Sequence, residues 1–320
     1  MKRILVVGAG GQIGTELVTH LQKNYGEDNV VAAEVRPDVV KKIAEHAQAV
    51  ELDALDFQKY GETIKKYKID AVYNLVALLS AKGELNPDLA WKINIGALLN
   101  SLNLARELHC AVFTPSSIGA FGYNTPHYKT PQDTIMRPDT IYGVCKVTGE
   151  LLGDYYFKRF GVDARSVRFP GLISNGALPG GGTTDYAVEV FYEIWKHGKY
   201  TCAVPRDAYM DMMYMPDALT ATTQLMEADP SRLKHRNSFN IASMSFTPEQ
   251  LFNELKKRIP TFTWDYKVDP IKADIANSWP DIMDDSCARA EWDWTPKWGL
   301  QEMMTDMLAA CREKVENGEY

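Results

Sequence analysis

Ile4-Leu5-Val6-Val7-Gly8-Ala9-Gly10-Gly11-Gln12-Ile13-Gly14 decides the fold of this chain. Four apolar residues without alternation suit a strand buried on both faces. Gly8, Gly11 and Gly14 then fall at every third position, where the strand gives way to a helix. The first glycine permits a tight turn, and the second lets the backbone approach a pyrophosphate. The third lets the helix pack closely on the sheet. The amino end of that helix is thereby offered to the phosphates of a dinucleotide.

Outward from this point, apolar runs at 4–7, 30–33, 50–52, 71–76, 111–114 and 164–169 alternate with helical stretches such as 14–24 and 89–108. This pattern predicts an α/β fold, a Rossmann-type doubly wound parallel sheet. Pro179-Gly180-Gly181-Gly182-Thr183-Thr184-Asp185 reads as a loop, ahead of a helical pattern through Val188, Phe191, Tyr192 and Trp195. Phe239-Asn240-Ile241-Ala242 reads as a strand returning to the main sheet. Thr247-Pro248-Glu249-Gln250 opens a helix with a capping threonine, proline at the first position and glutamine at the third. The expected organisation is a nucleotide-binding domain from 1–173 and 205–243, with a smaller, discontinuous substrate-binding domain from 174–204 and 244–320.

A net charge of −7 over 320 residues argues against a nucleic-acid or anionic-membrane partner. No run approaches the roughly 18 apolar residues of a membrane span. The apolar stretch 4–7 is too short for a signal-peptide core, so a cytoplasmic location is expected. Cys110, Cys145, Cys202, Cys287 and Cys311 are widely spaced with no C-x-x-C, and the histidines form no H-x-x-x-H. Neither a disulfide framework nor a metal is expected. Cys145 reads as a buried helix residue turned away from Tyr142.

Glu34 lies 20 residues beyond Gly14, at the end of the second strand. An acidic group there accepts from both ribose hydroxyls and repels a 2′-phosphate, so NAD is the expected cofactor. Arg36 is the counter-argument, since a guanidinium two residues on can neutralise a 2′-phosphate. Asp53 reads either as an acceptor for the adenine amino group or as an ordinary turn aspartate.

Ser117 stands 25 residues ahead of Tyr142, and Lys146 follows Tyr142 by four. Positions i and i+4 share one helix face. A lysine ammonium beside a phenol favours the phenolate, which can take a proton from a substrate hydroxyl as hydride leaves the same carbon. Ser117 would hold that oxygen in line.

With these residues the chain resembles the extended short-chain dehydrogenase/reductase family over nearly its whole length. The resemblance rests on Gly8/Gly11/Gly14, Asp53, Asn94-Ile95-Gly96, Ser116-Ser117, Tyr142/Lys146 and Arg168-Phe169-Pro170-Gly171. Within that family it is most similar to the L-threonine 3-dehydrogenases related to nucleotide-sugar epimerases. That likeness is carried by Leu78-Leu79-Ser80-Ala81, Thr140–Val144, Gly180–Ala187, Met213–Ala218 and Ser278-Trp279-Pro280. Two positions depart from the pattern: Asn74 stands where histidine is common, and Met210-Asp211-Met212 replaces a leucine-proline approach.

The resemblance implies oxidation of L-threonine to 2-amino-3-oxobutyrate, which an acetyltransferase carries on to glycine. It implies cofactor contacts from Gly8, Gly11, Gln12, Ile13, Gly14, Glu34, Arg36, Asp53, Ala54, Ala77, Tyr142, Lys146 and Pro170. Substrate contacts are expected from Ser80, Ser117, Tyr142, Thr183, Thr184 and Trp279. Asn94 either shapes the active site or lies on the helix surface, and Trp279 is either a lid or core packing. Exposed backbone N–H groups and the hydroxyl of Thr183 or Thr184 are expected to hold a carboxylate. Asp185 is expected to cap the helix after the loop. A homodimer is implied as well. The alternative is an NAD-dependent nucleotide-sugar 4-epimerase, against which the absence of any basic residue in 176–185 counts.

Overall fold

The computed structural model describes residues 1–178 and 180–320. Pro179, which begins the expected glycine loop, and the side chain of Ala81 lie outside the described residues. Six parallel strands form the main sheet: Ile4–Val7, Val30–Glu34, Gln48–Glu51, Ala71–Asn74, Ala111–Phe113 and Ala164–Arg165. Numbered in that sequence, their spatial order is 3-2-1-4-5-6, as expected for this fold. Ile4 pairs with Val30 on one side and Ala71 on the other, which makes the glycine-rich strand central.

Successive strand residues serve opposite faces. Ile4 and Val6 join a core with Leu17, Leu21 and Tyr73. Leu5 and Val7 join another with Val72, Leu98 and Leu102. Two apolar faces per strand are why the run 4–7 shows no alternation. Helices Gln12–Tyr25 and Pro87–Leu108 cover those faces.

The expected strand 164–169 is split. After a lapse, Val167–Phe169 resumes the same register with Ser116–Ser117, the continuation of the Ala111–Phe113 segment, and Phe239–Asn240 joins on its other side to make a three-stranded parallel sheet. Phe239–Asn240 therefore does not return to the six-stranded sheet; it extends the edge beyond it. The physical reason lies at Pro115, which has no N–H to continue the ladder past the bond from Thr114 N to Arg165 O at 3.1 Å. Beyond the break the Ser117 side chain emerges at the carboxyl edge of the sheet.

A third core gathers around helix Tyr186–His197, with Phe191, Tyr192, Phe252 and Phe262 fully buried. Helix Pro248–Arg258 begins with the expected capping box: Thr247 Oγ accepts from Gln250 N at 3.1 Å, and Thr247 N donates back to Gln250 at 2.9 Å. Among the described residues no helix is long and apolar enough to cross a membrane.

Candidate active site and cofactor cleft

The carboxyl ends of the strands border two clefts that share Leu75 and Ala77, so they form one continuous trough. Gly8, Gly11, Glu34, Arg36, Asp53, Ala54 and Ala77 line one end. Gln12, Ile13, Ala77, Ser80, Ser117, Tyr142, Lys146, Pro170, Thr183, Thr184 and Trp279 line the other. Gly14 lines neither; it is buried beneath the turn.

The glycine turn follows from steric need. Gly8 has φ +83°, a region costly for any side chain. A Cβ at Gly14 would lie 2.4 Å from the Gly8 carbonyl oxygen, so only glycine lets helix and turn approach. Gly11 precedes the helix in extended conformation with no side-chain cap. Gln12 Nε2 is buried without a hydrogen-bond partner. A buried amide donor left unpaired at an uncapped helix start fits the phosphates of a dinucleotide. Gly10 has a role that sequence spacing did not assign: its N–H donates to Glu34 Oε2 at 3.1 Å.

Glu34 is buried, and Arg36 is exposed. Glu34 Oε1 accepts from Val35 N at 3.0 Å and from Arg36 Nε at 3.3 Å. The guanidinium is thus tied to the carboxylate it was expected to oppose. Asp53 Oδ1 accepts from Leu55 N at 2.9 Å, and the residue also lines the cleft. Ala54 presents its carbonyl to Asn100 Nδ2 at 2.8 Å.

Ser117 and Tyr142 meet across Gly119. A Cβ on that glycine would sit 3.2 Å from Tyr142 Cε1 and 3.5 Å from Ser117 Oγ. Ser117 Oγ accepts from Gly119 N at 3.1 Å, which leaves the hydroxyl proton free to donate. Tyr142 is held in the first turn of helix Ile141–Phe160 by the Thr140 cap, whose hydroxyl accepts from Gly143 N at 3.1 Å. Lys146 Nζ lies 5.3 Å from the Tyr142 ring centroid and donates to Pro115 O at 2.6 Å. The strand break at Pro115 therefore also supplies the lysine's anchor. Cys145 is buried, as expected, and burial pushes its thiol pKa up.

Behind Ser117, Ser116 donates to Glu150, which forms a buried ion pair with Arg168 at 2.8 Å. Arg168 in turn donates to Gln132 O at 2.8 Å and Asn240 Oδ1 at 3.0 Å. This network ties four distant segments to the serine pair, and its pairings had no signature in sequence spacing. Asn94 settles between its two readings by gripping the Leu78 backbone: Leu78 N donates to its Oδ1 at 2.7 Å, and its Nδ2 donates to Leu78 O at 3.1 Å. It thereby fixes the segment leading into Ser80.

The glycine–threonine loop differs from expectation. Asp185 caps as expected, but from the third position of the short turn Thr183–Asp185 that opens into the helix, not as the helix's own N-cap. Its Oδ2 accepts from Gly181 N at 2.6 Å and Gly182 N at 2.7 Å. Those N–H groups are consumed inside the loop and are not free for a carboxylate. What remains is Thr183, 2% exposed, whose hydroxyl has no partner. Thr184 packs its methyl against Gly171, where a Cβ would come within 2.6 Å. Trp279 is buried in the third core and also lines the trough.

Away from the trough, His235, Cys287 and Glu291 come together with ligand atoms within 4.8 Å. Glu291 accepts from the His235 ring and from Lys234 N at 2.6 Å, so this carboxylate organises a turn. His235 lies more than 50 residues from the Cys287 and Glu291 pair, which hid the grouping from any spacing pattern.

A family model described as the NAD dependent epimerase/dehydratase family matches residues 4–242. An uncharacterized epimerase/dehydratase of Staphylococcus aureus (strain USA300) is 50% identical over 314 residues, covering 98% of each chain. Among solved structures, an L-threonine dehydrogenase from Clostridium difficile superposes with TM-score 0.96 at 49% identity, covering 98% of both chains. The holo form of a GalE-like L-threonine dehydrogenase from Cupriavidus necator gives 0.93 at 47% identity, covering 96% of this chain and 99% of its own.

Proposed function

The chain belongs to the NAD dependent epimerase/dehydratase family and takes NAD as its cofactor, and from that premise we propose that it oxidises L-threonine at the β-hydroxyl to 2-amino-3-oxobutyrate. The observation that carries this reading is the buried, unpartnered Thr183 hydroxyl in the same cleft as Ser117, Tyr142 and Lys146. A hydroxyl donor suits a small carboxylate. Lys146 is the one basic residue lining that cleft among the described residues, and it is already engaged with Pro115. A diphosphate would call for more cationic partners. The names of the Clostridium difficile and Cupriavidus necator relatives support the same substrate.

In this reading Ser117 donates its free proton to the substrate oxygen while Gly119 fixes the serine from behind. Tyr142 takes the proton from the substrate hydroxyl as general base. Lys146, anchored on Pro115, stands beside the phenol, its Nζ 5.3 Å from the ring centroid. NAD, when bound, supplies the hydride acceptor. Gln12 and Ile13 at the helix start, and Glu34, are the residues that would hold it, with Ala77 at the junction of the two clefts and Pro170 lining the substrate end. The division into 1–173 with 205–243 and 174–204 with 244–320 belongs to this proposal. The third core supports it, although Met210 and Met212 pack there and Trp292 packs with the main sheet.

The test is NADH formation with L-threonine, run beside UDP-glucose and UDP-galactose. We expect threonine oxidation and no sugar-nucleotide turnover; epimerisation without threonine oxidation would replace this reading with the epimerase.

A further inference from the structure

Asp185 is the one carboxylate lining the substrate end of the trough among the described residues. It is only 5% exposed, and its two oxygens are treated differently. Oδ2 is saturated by the N–H groups of Gly181 and Gly182. Oδ1 receives no hydrogen bond from the described residues and lies 3.1 Å from where a Gly182 Cβ would stand. Burial pushes the Asp185 carboxyl up, against the pull of the Gly182 and Gly181 N–H groups; Glu189 adds to the rise and Lys272 opposes it more weakly. A desolvated carboxylate with one oxygen unengaged is completed by a cation. The cleft's own cation, Lys146, is occupied at Pro115.

An α-amino acid carries ammonium and carboxylate on the same carbon. The turn Thr183–Asp185 offers an unpartnered hydroxyl at one end and an unengaged carboxylate oxygen at the other. We infer that Asp185 is a specificity-determining residue, whose free oxygen receives the substrate's α-ammonium and so selects β-hydroxy α-amino acids over β-hydroxy acids that lack the amine. This rests on the threonine reading above. The loop N–H groups that Asp185 consumes are then part of the same device, because they hold the carboxylate in place.

Asp185→Asn is the informative change, since the amide oxygen can still accept from Gly181 and Gly182 while the charge is gone. The full chain is assayed with L-threonine and with (R)-3-hydroxybutyrate, which keeps the carboxylate, the methyl and the hydroxyl configuration. The hydroxy acid is followed both as substrate and as competitive inhibitor. Loss of a charge-assisted contact should lower kcat/KM for threonine by roughly 10- to 100-fold. The hydroxy acid's kcat/KM or inhibition constant should stay within about twofold or improve, with the KM for NAD unchanged. Should the asparagine variant not fold, Asp185→Glu displaces the same charge and is expected to weaken threonine selectively. An equal loss for both compounds would reduce Asp185 to a loop clamp and overturn the inference, as would undiminished threonine kinetics. A wild-type protein that oxidises no threonine would remove the underlying reading itself.

Discussion

Thr183→Val exchanges one oxygen for a methyl and keeps the β-branched shape, so its effects come from the hydroxyl alone. In the protein without substrate that hydroxyl is buried and unpaired. A buried polar group with no partner costs about 1–3 kcal/mol, so the valine variant should be more stable than the parent, by up to that amount. With substrate bound the sign reverses. A hydrogen bond to a charged carboxylate contributes about 1.5–3 kcal/mol. At about 1.4 kcal/mol per tenfold, its loss should lower kcat/KM for threonine by roughly 10- to 150-fold. Denaturant unfolding of the NAD-free protein gives the first quantity, and initial rates of NADH formation give the second. NAD affinity should stay unchanged, because the hydroxyl lies at the substrate end. The reasoning fails if the variant is less stable, or if it oxidises threonine as well as the parent; the second result would move the carboxylate site to Thr184 or Ser80.

Four further outcomes are expected. Tyr142→Phe should keep NAD binding and lose roughly 10²–10⁴-fold in turnover; retention of more than about half the rate would exclude Tyr142 as the base. NAD should be preferred over NADP in kcat/KM because Glu34 sits at the ribose end with Arg36 tied to it, and equal use of the two would show that the guanidinium governs that subsite. Burial pushes the Asp211 carboxyl up to about 7, so the native state retains a proton that the unfolded chain has released, and Asp211 lowers stability as pH rises through that window. Asp211→Asn, which can still accept from Met283 N and can donate to Ser245, should therefore gain stability relative to the parent as pH rises from about 4 to about 7 and hold that gain above it; a gain independent of pH would refute the assignment. Exposed Trp91, Leu151 and Tyr155 on the two long helices fit the homodimer that the resemblance implies, and light scattering at the 36.0 kDa of one chain would rule it out.

The sheet and its order were legible because local chemistry carries them. Unbroken apolar runs mark strands buried on both faces, and the interval between them fits one crossover helix each. The glycine turn was legible for a similar reason: Gly14 is required by a contact made within the same turn. Ser117, Tyr142 and Lys146 were found through spacing, and they converge because Pro115 breaks one strand and Thr140 starts one helix. The split of 164–169 was less visible. Both halves pair with the same neighbouring segment in one register, and the ladder only lapses between Arg165 and Val167, opposite Pro115.

What the sequence by itself determined is therefore the α/β class, the glycine turn and the grouping of Ser117, Tyr142 and Lys146 in one cleft, all encoded over stretches of a few residues or one helix turn. Tertiary structure alone decided how polar groups are shared out. It assigned the loop N–H groups to Asp185 and left Thr183 unpaired, tied Arg36 to Glu34, and set Glu150 against Arg168. Hydrogen bonds are allotted by competition among all the donors and acceptors that folding brings within about 3 Å of one another, and linear order does not record that competition.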